Sequence, residues 1–190
     1  MEPLESVPTP RTPGHYRVAL VCLGNICRSP MADVVLSARV AKAGLSDVVE
    51  VVSAGTADYH VGRPMDPRAA ATLTASGYDA SRHRARQFDA TWHDACDLVL
   101  VMDAANRRDV VPTARTFLFR DFDPVGTGGE VPDPYYGGDD GFREVLAMVE
   151  RTSERVVALI AERLSGHAPG IEAGPDAGPD ADPGPERERT

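Results

Sequence analysis

The short apolar run Tyr16-Arg17-Val18-Ala19-Leu20-Val21 ends on Cys22, and Pro30 soon opens an amphipathic segment; what lies between them is the strongest constraint on the fold. The run lacks strict alternation, the pattern of a strand covered on both faces in a parallel sheet. After Pro30, the residues Met31, Val34, Val35, Ala38 and Ala41 recur at helical spacing, and Gly44 supplies a stop signal. A strand, a tight loop and a helix start therefore meet within Cys22-Leu23-Gly24-Asn25-Ile26-Cys27-Arg28-Ser29. Such a junction turns backbone N–H groups toward one point and adds the positive end of a helix, which makes an anion site. The same field favours a thiolate over a thiol.

The rest of the chain repeats this alternation. Val48 to Val52 is β-branched and reads as a second strand, broken by Ser53-Ala54-Gly55-Thr56. Asp66 to Ser76 reads as a helix with Asp66 as N-cap, Pro67 in its first turn and Gly77 just beyond its end. A short helix over Asp89 to Ala95 precedes the apolar strand Asp97 to Met102, after which Asp103 caps another helix. Arg115 to Phe119 is the fourth strand. Residues 120–138 are crowded with Asp, Pro and Gly, a long surface loop of the kind that carries function. Phe142, Val145, Leu146, Val149, Val156 and Ile160 line one face of a long helix that Gly166 ends. The alternation predicts an α/β single domain: a four-stranded parallel sheet, helices on both faces, and the Cys22 loop at the carboxyl ends of the strands, where ligands sit.

A chain of 190 residues with 42% hydrophobic content suits one domain better than two. We expect a flexible lead-in over residues 1–15, the folded domain over 16–165 and a disordered Gly/Pro/Asp-rich acidic tail over 166–190. A net charge of −9 argues against nucleic acid or an anionic membrane surface as a partner, so attraction for an anionic substrate has to be local. No basic-then-apolar leader is apparent, and no apolar run approaches the ~18 residues of a membrane span. The three cysteines are an odd count, and Cys22 and Cys27 are too close to form a useful staple; reduced, cytoplasmic thiols fit better. The five histidines form no clustered ligand set, so neither a metal nor any other cofactor is expected.

An isolated cysteine at a strand end is most often just a buried thiol. Here the strand end, Gly24, Arg28 and the following helix coincide, and together they reverse that reading. Arg28 in a first helical turn opposes the helix dipole, so an anion should compensate it; its planar fork suits two phosphate oxygens. Gly24 permits a positive φ and close approach, and Asn25 tolerates a left-handed conformation. Ser29 is either a helix cap or a hydroxyl donor to the Cys22 thiolate. A thiolate beneath a bound phosphate also needs an acid to protonate the leaving oxygen. Asp123 and Asp133, each followed by proline, are the candidates, and Tyr135-Tyr136 favour Asp133 because they would stack on an aryl leaving group. Tyr59 reads equally as a further pocket wall or as surface packing.

From roughly Tyr16 to Leu164 the chain resembles the low-molecular-weight protein tyrosine phosphatases, as a bacterial-type member. Cys22-Leu23-Gly24-Asn25-Ile26-Cys27-Arg28-Ser29-Pro30 resembles the family's phosphate-binding loop, and Asp133-Pro134-Tyr135-Tyr136-Gly137 its general-acid loop. The resemblance implies hydrolysis of phosphotyrosine through a cysteinyl-phosphate on Cys22, with Arg28 on the equatorial oxygens and Asp133 as acid and then base. It implies that Ser29 favours the thiolate and that Ser53 and His83 hold Asn25. It implies that Cys27 protects Cys22 by forming a disulfide on oxidation. Tyrosine-phosphorylated proteins would be the substrates, and inorganic phosphate both product and competitive ligand.

The same resemblance admits rivals. An arsenate reductase on this fold needs a downstream cysteine pair, and only Cys96 follows Cys27. Arginine phosphatases tend to carry threonine where Ile26 stands and lack the paired tyrosines. A non-catalytic phosphate reader would have no need of Cys22 or an acid.

Overall fold

The computed structural model describes residues 2–126 and 128–166. Strand β1 (Tyr16–Cys22) lies between β2 (Val49–Gly55) and β3 (Leu98–Val101), and β4 (Thr116–Leu118) flanks β3, giving the order β2-β1-β3-β4 with every pair parallel. Helices α1 (Arg28–Lys42), α2 (Pro67–Ala75) and α5 (Asp139–Ser165) cover one face. The shorter α3 (Thr91–Ala95) and α4 (Ala104–Asp109) lie toward the other. This is the α/β architecture that the alternating pattern predicts. No helix among the described residues is long and apolar enough to cross a membrane.

The apolar run of β1 lacks alternation because both of its faces are interior. Val18, Leu20 and Cys22 join the core under α1 and α5, whereas Ala19 and Val21 join Val99, Val101 and Val110 on the opposite face. Strand β2 extends beyond the apolar stretch, since Ser53, Ala54 and Gly55 go on pairing with Leu20, Val21 and Cys22. The chain passes from β1 outward to β2 and then crosses back to β3 on the other side of β1, so the loop after Cys22 opens at a topological switch point, where the crossovers leave a crevice.

Residues 2–15, expected to be a flexible lead-in, instead pack on the domain. Val7 is buried, Leu4 N donates to Asp121 O (2.8 Å) and Tyr16 Oη donates to Pro8 O (3.0 Å). Asp97 accepts the Arg11 amide on one oxygen (2.6 Å) and the Arg17 amide on the other (2.8 Å), which fastens the arm to the start of β1. Composition hides this because a few apolar side chains, Leu4, Val7 and Pro10, and a handful of hydrogen bonds suffice. The expected tail beyond Gly166 lies outside the described residues.

The 120–138 stretch is braced rather than loose. Arg120 donates to Asp123 Oδ2 (2.9 Å) and to the carbonyls of Glu130 and Val125, while Arg151 of α5 adds two bonds to Asp123 (2.7 and 2.8 Å). Burial works to raise the Asp123 pKa, but Arg151, the Val125 amide and Arg120 outweigh it and hold the carboxyl below its usual range. Asp123→Asn should therefore cost about 3 kcal/mol in urea unfolding at pH 7, the scale for breaking a buried ion pair. A depressed folded pKa contributes its stability above the unfolded value of about 4 and loses it as pH falls through the folded value. The gap between parent and variant should accordingly narrow in acid; a gap that persists unchanged to low pH would contradict the assignment.

Candidate active site

The loop from Cys22 to Cys27 is held by its carbonyls. Cys22 O accepts from Thr56 N (2.9 Å), Leu23 O from Ala57 N (2.9 Å), Asn25 O from His83 Nε2 (2.7 Å) and Ile26 O from Asp66 N (2.8 Å). In a trans peptide the C=O and the following N–H point opposite ways, and no peptide bond among the described residues is cis. Carbonyls turned outward therefore turn the N–H groups of residues 23, 24, 26 and 27 inward. The Asn25 amide joins them, donating to Cys22 Sγ (3.3 Å). The result is a concave ring of donors over a buried thiol, continued by the start of α1.

Asn25 is the hinge of this ring. Its φ of 52° makes it the loop's left-handed residue; Gly24, expected to share that role, does not adopt a positive φ. What Gly24 supplies is space, since a Cβ there would come within 3.0 Å of the His60 ring. The Asn25 side chain accepts from Arg86 N (2.9 Å) and donates to Ser29 Oγ (2.9 Å). Ser29 sits in the first turn of α1, and its hydroxyl reaches Cys22 Sγ at 3.0 Å, so both ends of a short relay end on the sulfur. Burial lowers the His83 pKa, leaving a neutral imidazole whose Nε2–H faces the Asn25 carbonyl. Ser53 does not hold Asn25, contrary to expectation. On β2 it faces α1, and its hydroxyl donates to Asp33 Oδ2 (2.7 Å) instead.

Arg28, the first residue of α1, is almost fully buried and joins three groups. Nη1 donates to Asp103 Oδ2 (2.6 Å) and Val131 O (3.2 Å), and Nη2 to Asp133 Oδ2 (3.0 Å). Burial disfavours the guanidinium charge, but the Cys22 sulfur, Asp103 and Asp133 outweigh it and keep Arg28 protonated. Asp133 arrives above the loop because Val131 N donates to Met102 O (2.8 Å) at the end of β3. Its side chain stays 38% exposed, and its other oxygen accepts from Tyr135 N (3.1 Å). Asp123, the rival acid, is fully buried among arginines and does not line this cleft.

Cys22, Leu23, Gly24, Ile26, Cys27 and Arg28 floor a cleft of about 210 Å³ whose rim carries Tyr59, His60, Asp133, Tyr135 and Tyr136. Tyr135 and Tyr136 meet edge to face with ring centres 5.0 Å apart. Burial first, then Asp66, Cys22 and Asp133, push the Cys27 thiol well above its usual pKa. Sequence reasoning missed Asp103, His60 and Gly55. Asp103 was legible only as a cap, a role it also fills through Asn106 N (2.7 Å). Gly55 pairs with Cys22, and a Cβ on it would strike Leu23 O at 2.6 Å, so the loop can cross the end of β2 only over a glycine. Cys96 lies in the core of the other sheet face, just ahead of β3 and so at the amino end of the sheet.

Residues 17–165 match the family model described as low molecular weight phosphotyrosine protein phosphatase. A low molecular weight protein-tyrosine-phosphatase of Streptomyces coelicolor is 48% identical over 162 residues, covering 80% of this chain and 98% of the relative. Protein-tyrosine phosphatase A of Mycobacterium tuberculosis is 42% identical over 158 residues, covering 80% and 96%. Among solved structures, a protein tyrosine phosphatase of Entamoeba histolytica with Hepes in its active site superposes with a TM-score of 0.74 at 31% identity, over 77% of this chain and 97% of that one. A family match spanning residues 17–165, with relatives this similar over nearly their whole length, establishes that the chain belongs to the low molecular weight phosphotyrosine protein phosphatase family.

Proposed function

We propose that the protein hydrolyses phosphotyrosine in proteins, with Cys22 as nucleophile, Arg28 as phosphate clamp and Asp133 as general acid and base. The observation that carries this is the meeting of Arg28 and Asp133 above the Cys22 sulfur in one aromatic-walled cleft. The phosphoryl oxygens take the inward N–H groups of the loop and the Arg28 fork. Cys22 Sγ attacks phosphorus in line, the P–O bond to the ring breaks, and Asp133 gives its proton to the departing phenol oxygen. Asp133 then takes a proton from water, whose oxygen attacks phosphorus, freeing Cys22 and inorganic phosphate. That phosphate fits the same loop and competes with substrate.

Arg28 also links the phosphate site to the acid. A dianion entering the loop competes with Asp133 for Nη2, so the guanidinium that receives the phosphate is the one that faces the acid. Ile26 on the floor and Tyr59, Tyr135 and Tyr136 on the rim suit a flat ring better than phosphoarginine. Thiol relay to arsenate is disfavoured by the position of Cys96. Free thiols at Cys22, Cys27 and Cys96 are consistent with work in a reducing compartment, the cytoplasm.

Turnover of phosphotyrosine, phosphoserine and phosphoarginine peptides tests the reading. Phosphotyrosine should be hydrolysed preferentially and Cys22→Ser should abolish it; preference for phosphoarginine, or no turnover, would sink it. Asp133→Ala should lower turnover by roughly 10²–10⁴ while substrate binding is largely kept. Under peroxide, Cys22 oxidised to the sulfenic acid should condense with Cys27 to a disulfide with loss of water. Cys27→Ser should then recover less activity than the parent on thiol treatment, and equal recovery would dismiss the protective role.

A further inference from the structure

Helix α2 contributes no group to the chemistry above, yet its first turn touches both catalytic loops. Asp66 caps the helix by accepting from Arg68 N (2.8 Å). The same carboxylate grips the Arg68 guanidinium twice, at Nε (3.1 Å) and Nη2 (2.9 Å). Held along that edge, the planar fork has fixed directions for its remaining donors. Nη2 donates to Tyr135 O (3.0 Å) and Nη1 to Gly137 O (3.2 Å). Its central carbon lies 5.6 Å from the Tyr135 ring centre and 4.8 Å from that of Phe142 in the first turns of α5. Tyr135 in turn gives its amide to Asp133 Oδ1. On the other side, the Asp66 amide donates to Ile26 O of the phosphate loop.

We infer that the Asp66–Arg68 pair is the positioning bracket of the general acid: Arg68 holds the Tyr135–Gly137 turn at a set distance from the phosphate loop and so aims Asp133 at the leaving oxygen. Arg68 touches neither Asp133 nor any loop donor; it acts through the two carbonyls. Although burial opposes it, the Arg68 bonds hold the Asp66 carboxyl below its usual range, so the pair stays charged at neutral pH. A lysine keeps the charge but has a single nitrogen and cannot hold Asp66 on one side and two carbonyls on the other. The inference rests on Asp133 being the acid.

That dependence gives it a signature that loss of stability does not share. A tyrosine phenolate, with a pKa of about 10, needs a proton to leave, whereas a nitrophenolate is a far weaker base and leaves largely unaided. The experiment measures kcat/KM, which reports the first bond cleavage, on phosphotyrosine peptide, phenyl phosphate and p-nitrophenyl phosphate, together with inhibition by inorganic phosphate. The proteins are the parent, Arg68→Ala, Arg68→Lys, Asp133→Ala and the double variant Arg68→Ala/Asp133→Ala.

Both Arg68 variants should lose about 10-fold or more on phosphotyrosine and phenyl phosphate, within the ~10²–10⁴ of the acid itself. On p-nitrophenyl phosphate they should lose no more than about 3-fold, and phosphate inhibition should hold within about 2-fold, because the loop and Arg28 are untouched. In the Asp133→Ala background, Arg68→Ala should add almost nothing. Equal losses on all three substrates, weakened phosphate inhibition, full activity in Arg68→Lys or additive losses in the double variant would each overturn the inference. If Asp133→Ala itself shows no dependence on the leaving group, the acid assignment falls and the bracket falls with it. A dependence in Asp133→Ala that is absent from both Arg68 variants would overturn the bracket alone.

Discussion

The site depends first on where a few carbonyls point. A ring of inward amides is electrostatically unfavourable when empty, because dipoles of one sign converge. Four outward hydrogen bonds, to Thr56, Ala57, His83 and Asp66, hold the loop in that arrangement before any anion arrives. The partners come from three separate parts of the chain beyond β2, so the cradle is a property of the assembled domain. Preorganisation of this kind is what makes an anion site catalytic: the donors need not reorient as charge develops on the phosphoryl oxygens.

Arg28 then couples the cradle to the proposed acid. Its Nη1 is anchored on Asp103 and Val131 O, both delivered by the end of β3 and the chain that follows, while Nη2 pairs with Asp133. One nitrogen is fixed by the fold, and the other faces the proposed acid in the cleft that would receive the phosphate. The overall charge of −9 would repel a phosphoprotein at long range, and salt screens that repulsion beyond roughly 8 Å at physiological ionic strength. Binding is therefore governed by these short contacts.

Much of this was legible in the residues. The buried β1 strand, the Cys22 loop and the capped helices are local patterns, set by apolar spacing, Gly and Asp at helix ends, and one arginine out of place against a dipole. What was not legible depends on register and on contacts across long stretches of sequence. Gly55 matters because it lies opposite Cys22 in the sheet, and Asp103 because β3 is the neighbour of β1. Ser53 was misassigned for the same reason: the face of β2 on which a serine lands follows from the pairing, and here that face meets Asp33. The packed arm of residues 2–15 escaped notice because its attachment runs largely through its own backbone groups and the Arg11 guanidinium, which apolar spacing does not reveal.

The two Asp-Pro pairs in the 120–138 loop show what separates a strut from a candidate acid. Both carboxylates face arginine, so charge pairing alone does not distinguish them. Asp123 is fully buried, and among its partners are Arg120, Arg151 and the Val125 amide, which do not line the cleft over the thiol. Its proton affinity is held low throughout. Asp133 is partly open, and the guanidinium it faces is the one an entering phosphate also requires. Its counter-ion can be shared with an incoming anion, whereas the partners of Asp123 do not line the cleft. Openness and the second obligation of Arg28, both lacking at Asp123, are therefore what suit Asp133 to the proposed acid role.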